Sequence, residues 1–273
     1  MYYKIIPPPA ILRDHVKAFW ILEGNKDSDK LSFYRLMADS CPEMVFQYKS
    51  HFYNCINDKT LERGPLSLVQ GPTKHFKDLT VKGEFGIIGV KFYPYISRLF
   101  FKTSAHALTN LSVDIQTLLG NEGKCLEELV MLQRTTEERI RVISNFLTKK
   151  LRNVDTSNRS IQYSVRQVME CHGNVNIEKL ARNTGMSKRH LERKFIEIVG
   201  PGPKLFARIV RFQRSIRQYQ QLIDKNLTSI AYHCGYADQS HFIREFKAFS
   251  GMSPKQYFRI TDEVADTFVK SSG

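Results

Sequence analysis

Along residues 1–95 the apolar positions come in short runs or alternate with polar ones, and this pattern predicts strands. Leu31–Met37 and Met44–Tyr48 are rich in aromatic and β-prone residues. Phe85–Phe92 (FGIIGVKF) is a further strand, whose two glycines mark a bulge or a close backbone approach. Pro42, Asn57-Asp58 and Gly64-Pro65 punctuate these runs as turns. After Pro94 the period lengthens. In Glu137–Leu151, Ile140, Ile143 and Leu147 fall three and four apart, and Phe146 and Leu151 widen the face, as an amphipathic helix requires. Arg152–Ser160 is polar, with Asn, Asp and Ser, and is the predicted linker. From Ile161 onward the spacing predicts helices over 161–171, 177–184, 188–199, 203–223, 228–234, 239–249 and 254–259. Turn residues separate them: His172–Asn174, Gly185, Gly200–Gly202, Asp224–Asn226, Gly235 and Gly251. Ser187, Asp238 and Ser253 stand at N-cap positions, and Pro254 at a first helical position.

A degenerate repeat lies within this helical stretch. Ile177, Leu180, Ala181 and Gly185 recur 50 residues later as Leu227, Ile230, Ala231 and Gly235. Leu191, Arg193, Phe195 and Ile198 recur 51 residues later as Phe242, Arg244, Phe246 and Phe249. Each copy makes physical sense as a helix-turn-helix. The small Ala lets two helices approach, and the Gly permits the positive φ of a tight turn. In the second helix of the first copy, Leu191, Phe195 and Ile198 form one apolar face, and Lys188, Arg189, Glu192, Arg193 and Glu197 lie opposite. The second copy buries Phe242, Phe246 and Phe249 and exposes Gln239, Ser240, Arg244 and Lys247. Such a helix fits a DNA major groove with its polar face at the base edges. The connecting helix of about 20 residues spans about 30 Å, close to the ~34 Å between successive major grooves on one face of DNA.

Charge supports this reading. Residues 159–260 carry 18 Lys and Arg against 7 Asp and Glu, so they hold +11 of the chain's +14. A balance this concentrated suggests a basic module beside a near-neutral one and favours an anionic partner. With 273 residues, 42% of them hydrophobic, the chain has material for two globular cores, divided here at 1–155 and 156–273 with a helical core at 160–260. Arg208, Arg211, Arg214 and Arg217 recur every three residues on the connecting helix, suiting acidic partners, phosphates or a solvated face.

Residues 160–260 resemble the AraC/XylS family of transcription regulators. The most specific stretch is Ile230–Phe258, IAYHCGYADQSHFIREFKAFSGMSPKQYF, which contains I-A-x-x-x-G-[FY], S-x-F-x-R-x-F-K and G-x-[ST]-P-x-x-[YF]. The first unit, LARNTGMSKRHLERKFIEIVGPGPKLF, departs at Arg189 and at Gly200–Pro203, and Ser215 stands where Ala is common. The resemblance implies an α+β chain: a β-rich, cupin-like N-terminal domain with following helices, then an all-α domain of two helix-turn-helix units joined by a long helix. It also implies a non-enzymatic, sequence-specific transcription factor, with activation the commoner mode. The matching positions for DNA contact are Lys188, Arg189, Glu192, Arg193, Gln239, Ser240, Arg244 and Lys247. Arg to guanine and Gln to adenine are the natural pairings, while Glu192 pairs with a neighbouring Arg or accepts from cytosine. Implied partners are double-stranded DNA, RNA polymerase, a small-molecule effector of the N-terminal domain, and a second copy of the chain through the Glu137–Leu151 helix. PPPAILRDHVKAFW, CPEMVFQY and GPTKHF resemble an N-terminal domain found on AraC-like regulators, which names no ligand.

Other chemistry finds less support. His51, His75, Asp39 and Glu43 show no metal-ligand spacing, and no Gly-rich phosphate loop is present, so no metal or cofactor is expected. Cys41, Cys55, Cys125, Cys171 and Cys234 are widely spaced and read as buried, reduced thiols. An enzyme fused to a DNA-binding module would show a reactive Cys motif or a catalytic Asp on a helix-hairpin; neither is evident. Trp20, Phe46, Tyr48 and Phe92 either line an effector pocket or form core. No secretory signal or apolar helical span is visible, and a cytoplasmic location is expected, without membrane association.

Overall fold

The computed structural model describes residues 2–24, 31–57, 60–151, 158–221, 226–260 and 268–271. Strands β1 (Tyr2–Ile6), β2 (Val16–Gly24), β3 (Leu31–Leu36), β4 (Glu43–Gln47), β5 (Phe52–Asn57), β6 (Thr60–Arg63), β7 (Ser67–Gln70), β8 (Lys77–Lys82), β9 (Phe85–Phe92) and β10 (Ser112–Asp114) form two antiparallel sheets. One has the order β1-β2-β9-β4-β7-β10. The other is β11-β3-β8-β5-β6, in which β11 (Phe268–Ser271) returns from the far end of the chain to pair with β3.

The period-2 pattern gives the six-stranded sheet two buried faces. Phe19 and Ile21 on β2, Met44 and Phe46 on β4, and Ile88, Val90 and Phe92 on β9 face the helices. Their neighbours Leu22, Val45 and Ile87 face the other sheet and pack with Tyr34, Phe52 and Val81. The two glycines of β9 allow close approach by side chains. A Cβ on Gly89 would stand 2.1 Å from the Trp20 ring, and one on Gly86 2.5 Å from the Tyr48 ring. The bulge in this sheet lies elsewhere, between Val16 and Ala18.

Five helices cover the first face: α1 (Ser97–Phe101), α2 (Ala105–Leu108), α3 (Ile115–Leu119), α4 (Asn121–Leu132) and α5 (Thr136–Lys150). Helix α5 starts at a capping box in which Thr135 and Glu138 bond each other's backbone N–H. Its apolar face is occupied within the chain. Ile143 and Leu147 are fully buried in the sheet–helix core, and Ile140, Phe146 and Leu151 pack against it. Packing against its own sheet gives no support to the expected use of this face for pairing two copies. The predicted linker falls largely at 152–157, outside the described residues.

The helical half follows the predicted pattern closely: α6 (Arg159–Glu170), α7 (Ile177–Asn183), α8 (Lys188–Val199), α9 (Pro203–Gln221), α10 (Leu227–His233), α11 (Gln239–Ser250) and α12 (Pro254–Ile260). Ser187, Asp238 and Ser253 accept from the backbone N–H groups of His190, His241 and Gln256, the capping geometry that starts α8, α11 and α12. Gly185 and Gly235 hold φ of 66° and 78° in the turns, where a side chain would be strained.

The two halves are tied together at both helix-turn-helix units. Ala38, just beyond β3, donates its N–H to the Phe249 carbonyl at 3.1 Å and accepts from Gln213 Nε2 at 2.6 Å. Met37 and Ala38 belong to the core of the second unit. The first unit meets α1 through the Arg98–Glu197 ion pair (2.8 Å) and α6 meets Asp14 through Arg166 (2.8 Å). At Gly200 a Cβ would lie 2.7 Å from Thr109 Oγ1 and 3.2 Å from the Ala105 carbonyl oxygen. Gly200 thus sits at a docking contact that admits no side chain.

Candidate DNA interface and an interdomain cavity

In both units the apolar face of the second helix is buried and the polar face is exposed. Leu191, Phe195 and Ile198 of α8 pack on α6 and α9 residues. Lys188, Arg189, Glu192 and Arg193 are exposed along the opposite side. On α11, Phe242, Phe246 and Phe249 are buried, while Ser240, Arg244 and Lys247 are exposed. Gln239 is half-buried, and its Oε1 accepts from Thr228 Oγ1 at 2.7 Å, which leaves its amide hydrogens available. Glu192 makes no ion pair with a neighbouring Arg among the described residues; Lys188 instead reaches Glu178 at 3.3 Å, both groups being exposed.

The first two of the four α9 arginines turn toward the second unit. Arg208 donates to Glu245 of α11 at 2.5 Å. Arg211 donates to the Gly235 carbonyl at 3.0 Å and lies over the Tyr236 ring. Arg214 and Arg217 line a cavity of about 710 Å³ between α9 and the β-sheets. The i, i+3 recurrence was legible in the sequence, but which side of α9 meets which neighbour was not.

That cavity is built by strand alternation. Trp20, Glu43, Val45, Ile87 and Lys91 are the residues that the sheet turns away from its helices, and they form one wall. Lys91 bridges two carboxylates, bonding Asp39 and standing 3.2 Å from Glu43. Burial works against the Lys91 ammonium, but Asp39 and Glu43 together hold its pKa above the ordinary range. Burial alone would raise the Asp39 carboxyl; Lys91 and Lys17 outweigh that and hold it below its usual value. Burial, reinforced by Asp39, pushes Glu43 up despite Lys91. On the opposite wall His172 stands near Arg214 and Arg217, and burial followed by the two guanidiniums lowers its pKa. Neither Arg214 nor Arg217 has an ion pair among the described residues.

Trp20 lines the cavity, whereas Phe46 and Phe92 are core and Tyr48 bonds Glu23 through its hydroxyl at 2.6 Å. Asp39 and Glu43 do converge, on Lys91 rather than on His51 or His75, and His51 contacts Arg63. The expectation of buried thiols holds for Cys41 and Cys234, which burial raises to about 11, but Cys125 and Cys171 are exposed, because they sit on outward positions of α4 and at the end of α6. The side chain of Cys55 lies outside the described set. Among the described residues no helix is long and apolar enough to cross a membrane.

Residues 180–260 match a family described as a helix-turn-helix domain, and residues 4–114 match a domain of unknown function, DUF6597. An uncharacterised HTH-type transcriptional regulator of Staphylococcus aureus is 31% identical over 86 residues, which are 32% of this chain and 11% of that protein. The HTH-type transcriptional regulator YbfI of Bacillus subtilis is 29% identical over 169 residues, 60% of this chain and 58% of its own length. This chain thus spans about a tenth of the S. aureus relatives and under two thirds of YbfI. The structure of ToxT from Vibrio cholerae superposes with a TM-score of 0.50 over 90% of this chain and 99% of that one, at 12% identity, which establishes likeness of fold. Taken with the capped, repeated units described above, these matches identify the C-terminal part of the chain as an AraC-type helix-turn-helix domain and the N-terminal part as a member of the DUF6597 family.

Proposed function

We propose that this chain is a sequence-specific DNA-binding transcription regulator in which α8 and α11 enter successive major grooves. The observation that carries this reading is the pairing of two capped helices, each with its apolar side buried and a basic, polar side exposed, in the segment that holds +11 of the net charge. Arg189 and Arg193 on α8, and Arg244 on α11, read base edges; Gln239 and Ser240 contribute through the amide and hydroxyl; Lys188 and Lys247 hold phosphates. Residues 156–273 are the reading part and residues 1–155 the sensing part. RNA polymerase is the downstream partner, and no catalytic step is assigned to the chain.

The cavity is the seat of a small-molecule effector. Its N-terminal wall is apolar around Trp20, Val45 and Ile87, and its carboxylates Asp39 and Glu43 are already paired with Lys91, while Arg214 and Arg217 on the helical wall have no ion pair among the described residues, which suits an anionic end on the ligand. A ligand touching both walls changes how α9, and hence both units, sits on the sheets.

Selection of duplexes from a randomised pool by the full chain, followed by fluorescence anisotropy over a salt series, tests DNA binding. A consensus should emerge, and affinity should fall steeply with salt as Lys and Arg release condensed counterions. Failure to enrich any sequence, or salt-independent binding, overturns the reading. Trp20, the single tryptophan, reports the cavity: anionic small molecules that bind there should shift its emission, and Arg214→Ala should weaken that response.

A further inference from the structure

Between the two units lies a second concavity, of about 480 Å³, that the recognition faces do not account for. It is bounded by the turn that leads into α7, by one face of α9 and by the side of α11. We propose that this cleft seats a DNA backbone phosphate, the one that crosses between the two major grooves entered by α8 and α11. The proposal rests on DNA binding by those helices and adds a contact made by neither recognition face.

The charge of the cleft is the first argument. Lys204, Arg208 and Arg211 are spaced four and three apart on α9 and therefore share a face. The one acid of the cleft is Glu245, 6% exposed, and its charge is already answered: Arg208 donates to it at 2.5 Å, and His241 Nε2 lies 3.3 Å away. Lys204 is exposed and has no ion pair among the described residues. Arg211 uses Nη1 on the Gly235 carbonyl, one of its five donors, and meets no carboxylate among the described residues. Two full positive charges thus converge on a cleft whose acid is neutralised, which is the composition of an anion seat.

Position is the second argument. In a helix-turn-helix the first helix crosses the DNA backbone while the second enters the groove. The cleft abuts the start of α7, the backbone-crossing helix of the first unit, through Ile177. On its other side stands His241, three positions before Arg244. At about 100° per residue, His241 lies roughly 60° around α11 from Arg244, beside the recognition face. The cleft therefore opens where the backbone must pass when both grooves are occupied.

Its geometry is also held in advance. Asn174 Nδ2 donates to the Cys234 carbonyl at 3.4 Å, and a Cβ on Gly235 would stand 2.2 Å from Asn174 Oδ1, so the turns of the two units interlock beside the cleft. A phosphate bound here carries no base information but fixes the register of the two units on the duplex.

The test uses the full-length chain, a duplex selected by it, and an unrelated duplex of the same length. Lys204→Ala should weaken both duplexes by the same several-fold factor and lower the slope of log affinity against log salt by about 1. Lys204→Arg should restore most of both. Lys124→Ala, the same charge change on exposed α4, should alter neither. Uncharged methylphosphonate linkages scanned through the centre of the selected duplex should reveal one position that weakens the wild type but weakens Lys204→Ala no further. A Lys204→Ala slope equal to that of Lys124→Ala overturns the cleft as a phosphate seat. So does a loss confined to the selected duplex, or a methylphosphonate penalty that is undiminished in Lys204→Ala at every position. Wild-type protein that binds neither duplex overturns the regulator reading itself, and the cleft with it.

Discussion

The two helix-turn-helix units derive from one repeated pattern, yet the molecule holds them by different means. The first packs Leu191, Phe195 and Ile198 around one aromatic contact among the described residues, Phe195 with Phe206 at 5.4 Å between ring centroids. The second is an aromatic cluster in which Phe246 meets Phe212, Phe242, Tyr257 and Phe258. The first unit meets the N-terminal part through Tyr95, which packs against its core, through the Arg98–Glu197 ion pair and through the close contact at Gly200. The second receives Met37 and Ala38 into its core and shares main-chain hydrogen bonding with Ala38. Met37 directly follows Leu36, a wall residue of the cavity. A repeat specifies the local unit; residues outside the repeat decide how each copy is joined to the N-terminal part.

The largest test of this contrast is in the cores. Phe195→Ala and Phe246→Ala should each destabilise the chain by about 3–5 kcal/mol, as buried Phe truncations do. Their reach should differ. Urea unfolding followed through Trp20, which sits on β2 in the N-terminal sheet, should shift its midpoint more for Phe246→Ala, because that cluster contains Met37 and Ala38. Equal shifts of the Trp20 signal would remove the asymmetry.

Next in size are the recognition arginines. Arg244→Ala should cost about 1–3 kcal/mol on a selected duplex and much less on unrelated DNA, since phosphate contacts made elsewhere remain. Arg193→Ala should show the same selectivity with a smaller loss, because the first unit is the one that departs from the family pattern. Lys247→Ala should weaken both duplexes alike. A larger selective loss at Arg193 than at Arg244, measured by anisotropy on the two duplexes, would reverse the ranking of the units.

The smallest effects concern docking. Gln213→Ala removes a half-buried hydrogen bond to the Ala38 carbonyl and should cost about 1 kcal/mol. Arg98→Ala breaks an ion pair whose arginine side chain is 61% exposed, so it should cost about 0–1 kcal/mol, and less still at high salt. Urea midpoints at low and high salt separate the two: a salt-sensitive loss at Gln213 would contradict a hydrogen-bonded anchor.

Strands β4 and β9 and the later helices lay close to their predicted bounds, because period, caps and turn glycines act over a few residues and are written consecutively. The polar faces of α8 and α11 were legible for the same reason: once Leu191 and Phe242 face inward, geometry sends Arg193 and Arg244 outward. The cavity was not legible. Glu43 and Lys91 alternate with apolar neighbours on their strands, a visible sign that the sheet has two buried faces, but their meeting needs the register that pairs Glu43 with Lys91 across β4 and β9. Asp39 joins them only because a β-bridge to Thr73 holds it there.

By itself the sequence determined the paired units, their caps, the exposed polar faces of their second helices and the basic character of their segment, since each follows from spacing along the chain. Only the tertiary structure decided that α5 packs its apolar face into the chain's own sheet–helix core. It likewise set Arg208 against Glu245, aimed Arg214 and Arg217 into a cavity against the sheets, and returned β11 to β3. Those outcomes depend on which surfaces meet. That choice is made by burial and charge pairing summed over segments far apart in the chain, and no local pattern encodes it.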